Sequence, residues 1–69
     1  MSNIMELNIE KIDRELKRLG LSKYTLAQKM GINKETIYSI FRRKSTKIST
    51  INEIAKILDV DPRDLLIWS

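Results

Sequence analysis

Lys23-Tyr24-Thr25-Leu26-Ala27-Gln28-Lys29-Met30-Gly31-Ile32-Asn33-Lys34-Glu35-Thr36-Ile37-Tyr38-Ser39-Ile40-Phe41-Arg42 is the stretch from which the architecture of this chain is read. Counted from Lys23 as the first position, Leu26, Ala27 and Met30 fall at four, five and eight. Gly31 and Ile32 follow at nine and ten, and Ile37 and Ile40 at fifteen and eighteen. Two short helices that cross tightly through a three- to four-residue turn need this spacing. Ala27 lies where the second helix crosses, and a large side chain there would hold the pair apart. Gly31 lies where the first helix must stop, in the left-handed conformation that glycine adopts most cheaply. The remaining apolar positions supply a shared core. The spacing predicts a helix-turn-helix whose second helix points outward.

Working outward, the pattern predicts five helices and no strand. Asn8 can cap a first helix in which Ile9, Ile12, Leu16 and Leu19 form one apolar stripe, and Gly20 ends it. Ser22 caps the second, which runs to Met30, and Asn33 caps the third, from Lys34 to about Arg42. A polar connection, Arg43 to Lys47, leads to a fourth helix that starts near Ile48, with Ser49 or an upstream hydroxyl as its cap. It buries Ile51, Ile54, Ala55 and Leu58. Asp61-Pro62 starts a fifth, with proline at its first position and Asp64 near the positive end of its dipole. Residues 1–7 carry no clear signal and are expected to form a flexible N-terminal segment before a single domain at 8–69.

Leu21 to Ile40 resembles the phage Cro and repressor type of DNA-binding domain (lambda-repressor-like, XRE family). The resemblance continues through Ile54-Ala55-Lys56-Ile57-Leu58-Asp59-Val60-Asp61-Pro62-Arg63-Asp64-Leu65-Leu66, which is similar to the last two helices of that fold. It implies an all-α, compact five-helix domain with the helix-turn-helix formed by helices 2 and 3. The chain departs from the family's pattern at four places. Lys23 stands where glutamine is common, Phe41 where an acid is common, and Arg43 and Asp59 where glycine is common.

Composition agrees with one small domain. Sixty-nine residues bury one modest core, and with no cysteine neither a disulfide nor a thiolate zinc site reinforces it. No apolar run approaches the ~20 residues that span a bilayer. The N-terminus lacks the apolar core of a signal peptide, so a cytoplasmic location is expected; the resemblance implies that of a bacterial or phage-infected cell, on the nucleoid. The formal charge of +4 is unevenly spread: Lys23 to Lys47 holds seven positive residues against one acid, Glu35, and the rest is net acidic. A positive potential concentrated on one side is what a phosphate-binding surface requires, although a solvated lysine-rich face would look similar in sequence.

Helical geometry sorts the third helix. Ile37, Ile40 and Phe41 define its buried side, which leaves Glu35, Tyr38, Ser39 and Arg42 opposite, with Lys34 and Thr36 on the flanks. In this motif that helix lies in the major groove, so Lys34, Glu35, Tyr38, Ser39 and Arg42 are the candidate base-reading residues. Arg42 is chemically able to bond guanine O6 and N7, or to hold phosphate. Glu35 can accept from cytosine N4 or orient a neighbour, or it can simply complement the helix dipole. Tyr38 can meet a thymine methyl or a phosphate, or pack sideways on the second helix. Candidate phosphate contacts are Ser22 and Lys23 at the second helix's N-terminus, Asn33 and Thr36 at the third's, and Arg43, Lys44, Thr46 and Lys47 in the connection that follows.

Leu65, Leu66, Ile67 and Trp68 make the tail more apolar than a lone small domain needs. Leu66, Ile67 and Trp68 are the expected interface of an isologous homodimer on a two-fold symmetric operator, and a Trp68 folded back over the first helix is the alternative. The chain has no histidine, cysteine or glycine-rich phosphate loop, so neither an enzyme, a cofactor, a small-molecule ligand nor a metal is expected. The functional expectation is a sequence-specific DNA-binding regulator, a small Cro-like repressor. A protein-interaction module or antitoxin-type subunit that kept the fold is the alternative, and an interaction module would present an apolar third helix.

Overall fold

The side-chain oxygen of Asn8 accepts from the Lys11 N–H at 3.1 Å and starts α1, Ile9–Leu19. This is the first helix of a computed structural model that describes residues 4–67. Gly20, at φ 70°, ends it. Ser22 begins α2, Lys23–Met30, by accepting from the Thr25 N–H at 3.0 Å. Gly31 closes α2 at φ 73°, and no atom would meet a Cβ added there within 4 Å. Glycine is therefore needed at position 31 for its backbone conformation, not for space. Asn33 accepts from the Thr36 N–H at 2.9 Å and opens α3, Lys34–Arg43. These three caps and stops stand where the sequence places them.

The core is one cluster. Ile12 and Leu16 from α1, Leu26 and Ala27 from α2, and Ile37, Ile40 and Phe41 from α3 are buried together. Ile51, Ile54, Ala55 and Leu58 join them from α4, Ile48–Leu58. Every inward residue expected of α3 and α4 is buried. No buried side-chain polar atom among the described residues lacks a partner, so burial is not opposed by unmet hydrogen bonds. No helix among the described residues is long and apolar enough to cross a membrane.

Two expectations fail, and for one reason. Ile4–Glu6 forms a strand, β1, that pairs antiparallel with a second, β2 at Ser45–Lys47, in the register Ile4 to Lys47, Met5 to Thr46 and Glu6 to Ser45. Leu7 follows with its N–H donating to the Lys44 carbonyl at 2.8 Å, and its side chain is 0 % exposed. Residues 4–7 are thus a docked strand and a core residue, not a fraying segment; residues 1–3 lie outside the described range. The second failure concerns the fifth helix. Asp61 and Pro62 do open a helical turn, but it is a 3-10 turn of four residues, Pro62–Leu65. Leu66 then turns extended (φ −104°, ψ 152°) and bridges to Leu7, while the Ile67 N–H donates to the Glu6 carbonyl at 3.1 Å. Backbone pairing with the N-terminal segment replaces further helical bonds. The described chain is therefore four α-helices, a two-stranded sheet and a 3-10 turn, rather than five helices without a strand.

The start of α4 also differs. Lys47 is its N-cap with no side-chain bond, and neither Ser49 nor an upstream hydroxyl does that work, because β2 runs straight into the helix. Near the other end of the chain, Asp61 receives the Arg63 side chain at 3.1 and 2.8 Å and its backbone N–H at 2.9 Å. These bonds hold the Asp61 carboxyl down at about 2.

Two helices end on non-glycine residues in the left-handed region, α3 on Lys44 (φ 58°) and α4 on Asp59 (φ 57°). That conformation costs an ordinary residue roughly 1–2 kcal/mol, somewhat less for Asp. Asp59→Gly should accordingly stabilise the domain by about 0.5–1 kcal/mol and raise its thermal midpoint by about 2–8 °C. Calorimetry at neutral pH reads this directly, and an unchanged or lowered midpoint would show that the cap is not strained.

Candidate nucleic-acid interface

Packing α2 on α3 through Ala27, only 1 % exposed, buries the inner side of α3 and turns the other side out. Lys34, Glu35, Tyr38 and Arg42 are exposed along that outer side, and Ser39 is half-buried among them. The five candidate base-reading residues therefore share one face of one helix. Tyr38 is 45 % exposed.

The candidate phosphate residues fall into two groups. Thr36, Arg43, Thr46 and Lys47 come together around one open recess of about 230 Å³ between the α2–α3 turn, β2 and α4. Lys44 stands beside them as the exposed C-cap of α3, with its carbonyl taken by Leu7. Ser22, Lys23 and Asn33 are placed differently, because their polar atoms also serve the fold. Ser22 Oγ caps α2 and lies 3.0 Å from the Thr25 hydroxyl. Asn33 Oδ1 accepts from both the Thr36 N–H and its hydroxyl, at 2.9 and 2.7 Å. The Lys23 ammonium lies over the Phe41 ring, 4.7 Å from its centroid. Sequence reasoning assigned Phe41 to the core and missed that it carries a charged neighbour.

The electrostatics of the two halves of the molecule contrast. On α1, Glu15 pairs with Lys11 at 3.6 Å and Arg18 at 2.7 Å, and the Arg18 hydrogen bond holds its carboxyl below the usual range. Asp61 pairs with Arg63. Among the described residues, these ion pairs all lie outside Lys23 to Lys47. Lys29, Lys34, Arg42, Arg43, Lys44 and Lys47 are exposed and have no carboxylate partner of this kind. Within the recess that Arg43 and Lys47 line, the only carboxylate is that of Glu53, and it forms none of the ion pairs among the described residues.

Comparison with known families supplies the decisive observation. Residues 11–69 match the family described as Cro/C1-type HTH DNA-binding domain. The chain belongs to that family. Neither a curated protein nor a solved structure matches it. In this Cro/C1-type domain α2 and α3 are the helix-turn-helix, and membership identifies the chain as a DNA-binding domain of a kind that is typically non-enzymatic. The match begins inside α1, so β1 and Leu7 lie outside the matched residues of the Cro/C1-type domain although they complete its core.

The candidate dimer residues are placed unequally. Leu66 is half-buried against the core, Ile67 is 46 % exposed, and Trp68 lies outside the described residues.

Proposed function

We propose that this domain is a sequence-specific, double-stranded DNA-binding regulator of transcription, a small Cro-like repressor that places α3 in the major groove. The observation that carries the reading is the exposed face of α3. It holds Lys34, Glu35, Tyr38, Ser39 and Arg42, and Arg43, Lys44 and Lys47 near it form none of the ion pairs among the described residues. A groove-reading helix needs donors and acceptors outward and positive charge at its margins. A protein-docking helix would be expected to show an apolar stripe instead, and of these five residues only Tyr38 is large and hydrophobic.

In this account Arg42 and Lys34 donate to base acceptors, Glu35 accepts from an amino group or orients Arg42, and Tyr38 meets a thymine methyl. Thr36, Arg43, Lys44, Thr46 and Lys47 hold one stretch of phosphates and Ser22, Lys23 and Asn33 another. Repression would follow from covering promoter DNA, with the protein working in the bacterial cytoplasm on the nucleoid.

The operator is proposed to be two-fold symmetric and the protein to bind it as a homodimer. The domain is 33 Å along its longest axis. Half-sites one helical turn apart lie about 34 Å from centre to centre. Two copies on one face of the duplex would thus come within reach of each other, with Ile67 and its neighbours as the apolar surface on offer.

The test is the salt dependence of binding to a duplex. If the dimer makes about eight phosphate contacts, log Kd should change against log salt with a slope of magnitude near 7. Fluorescence anisotropy across 50–300 mM salt measures it. A slope of magnitude near 1 would mean that the cationic margin of α3 does not face the DNA backbone.

A further inference from the structure

Lys23 occupies an unusual position for a lysine. It is the first residue of α2 and lies one turn before Ala27, on the stripe that packs against α3. Residues four apart share a helix face, so its side chain is directed at the helix-helix seam rather than into open solvent. It is half-buried, and its ammonium makes none of the ion pairs among the described residues. What the ammonium meets is the ring of Phe41, which is 6 % exposed, at 4.7 Å from the centroid. This is within the roughly 6 Å at which a ring's negative face attracts a cation.

From this geometry, and resting on the DNA-binding reading above, we propose that Phe41 is a positioning residue: it holds the Lys23 ammonium at the α2–α3 seam, ready for a DNA phosphate. The physical case has two parts. A free lysine spreads over many rotamers, and fixing it on binding costs affinity. A ring held in the core removes most of that cost beforehand while leaving the ammonium's other donors open. The first helix of the motif lies across the DNA backbone while the second enters the groove, so the seam between them is where a phosphate passes. Phe41 serves as the platform because Ile37, one turn earlier on α3, and Ile40, beside it, anchor the same helix face in the core.

A carboxylate at position 41 would pair with Lys23 and neutralise it. A ring attracts the ammonium and leaves its charge intact for an anion.

The test is a double-substitution cycle on the full chain with a ~30-base-pair duplex, comparing wild type, Lys23→Met, Phe41→Leu and the double variant. Phe41→Leu should weaken binding by about five-fold in the wild-type background. It should have no further effect on Lys23→Met. NMR of the wild-type protein alone supplies a second readout independent of any substitution: the ε-methylene protons of Lys23 should be shifted upfield by the ring current. An equal loss from Phe41→Leu with and without Lys23, or a Lys23 resonance at its random-coil position, would overturn the proposal. Wild-type protein that fails to bind the duplex at low salt would overturn the DNA reading and this proposal with it. Normal wild-type binding with no coupling between the two positions would overturn the positioning role alone.

Discussion

Leu7→Ala should unfold most of the protein at 37 °C, although the residue lies outside the helix-turn-helix and outside the matched family segment. Leu7 is 0 % exposed, packs in the same cluster as Ile12, Leu16 and Leu65, and is clamped on both sides by backbone pairing with Lys44 and Leu66. Truncating a buried leucine costs about 2–5 kcal/mol, because the cavity left behind collapses only in part. A single core of this size seldom supplies more than about 3–5 kcal/mol in all. The loss therefore consumes most of the stability available. Glu6→Ala, one residue earlier and exposed, is the control and should change stability by no more than about 0.5 kcal/mol. Urea titration followed by circular dichroism measures both. A Leu7→Ala loss below about 1 kcal/mol would show that the N-terminal strand does not dock as described. DNA binding by the truncated side chain should fail in parallel, because α3 is held by the core that Leu7 completes.

Arg42→Ala should reduce affinity for the preferred sequence by roughly 5- to 150-fold for each half-site, the cost of one lost bidentate base contact of about 1–3 kcal/mol per subunit. It should also relax the preference at one base position of each half-site. Arg43→Ala, the adjacent residue on the same helix, is the comparison. Arg43 lines the recess beside Thr46 and Lys47 rather than the outward face, so its loss should weaken all sequences alike and lower the salt slope by about one per subunit. Neighbouring arginines with different signatures are a sharper test than either alone. If the two substitutions behave identically, Arg42 holds phosphate and the outward face of α3 is not the reading surface.

Much of this molecule is legible in its sequence, and the reason is local chemistry. Asn8, Ser22 and Asn33 each satisfy an N–H three residues ahead, and Gly20 and Gly31 each take a positive φ, so helix bounds follow from side chains adjacent to them. The inward faces of α3 and α4 follow from helical period, and with them the outward set Lys34, Glu35, Tyr38, Ser39 and Arg42. What is not legible depends on residues far apart in the chain. β1 and β2 are three residues each and too short to show alternation, and their pairing joins Met5 to Thr46 across forty residues. The fifth helix stops after one turn because Leu66 finds Leu7, which no local signal announces. Lys23 reads as a free cation until the packing of α2 on α3 brings Phe41 beneath it. No residue beside Asp59 announces its left-handed helix end, which it adopts at φ 57°.

The central claim is that α3 reads DNA sequence in the major groove from a two-fold arrangement. The most direct measurement is selection of bound duplexes from a random ~30-base-pair library with the 69-residue protein, followed by sequencing of the bound fraction. Enrichment of a two-fold symmetric motif is expected, with half-sites about one helical turn, ~10 base pairs, apart. Retention without any enriched sequence, or no retention at low salt, would contradict the claim.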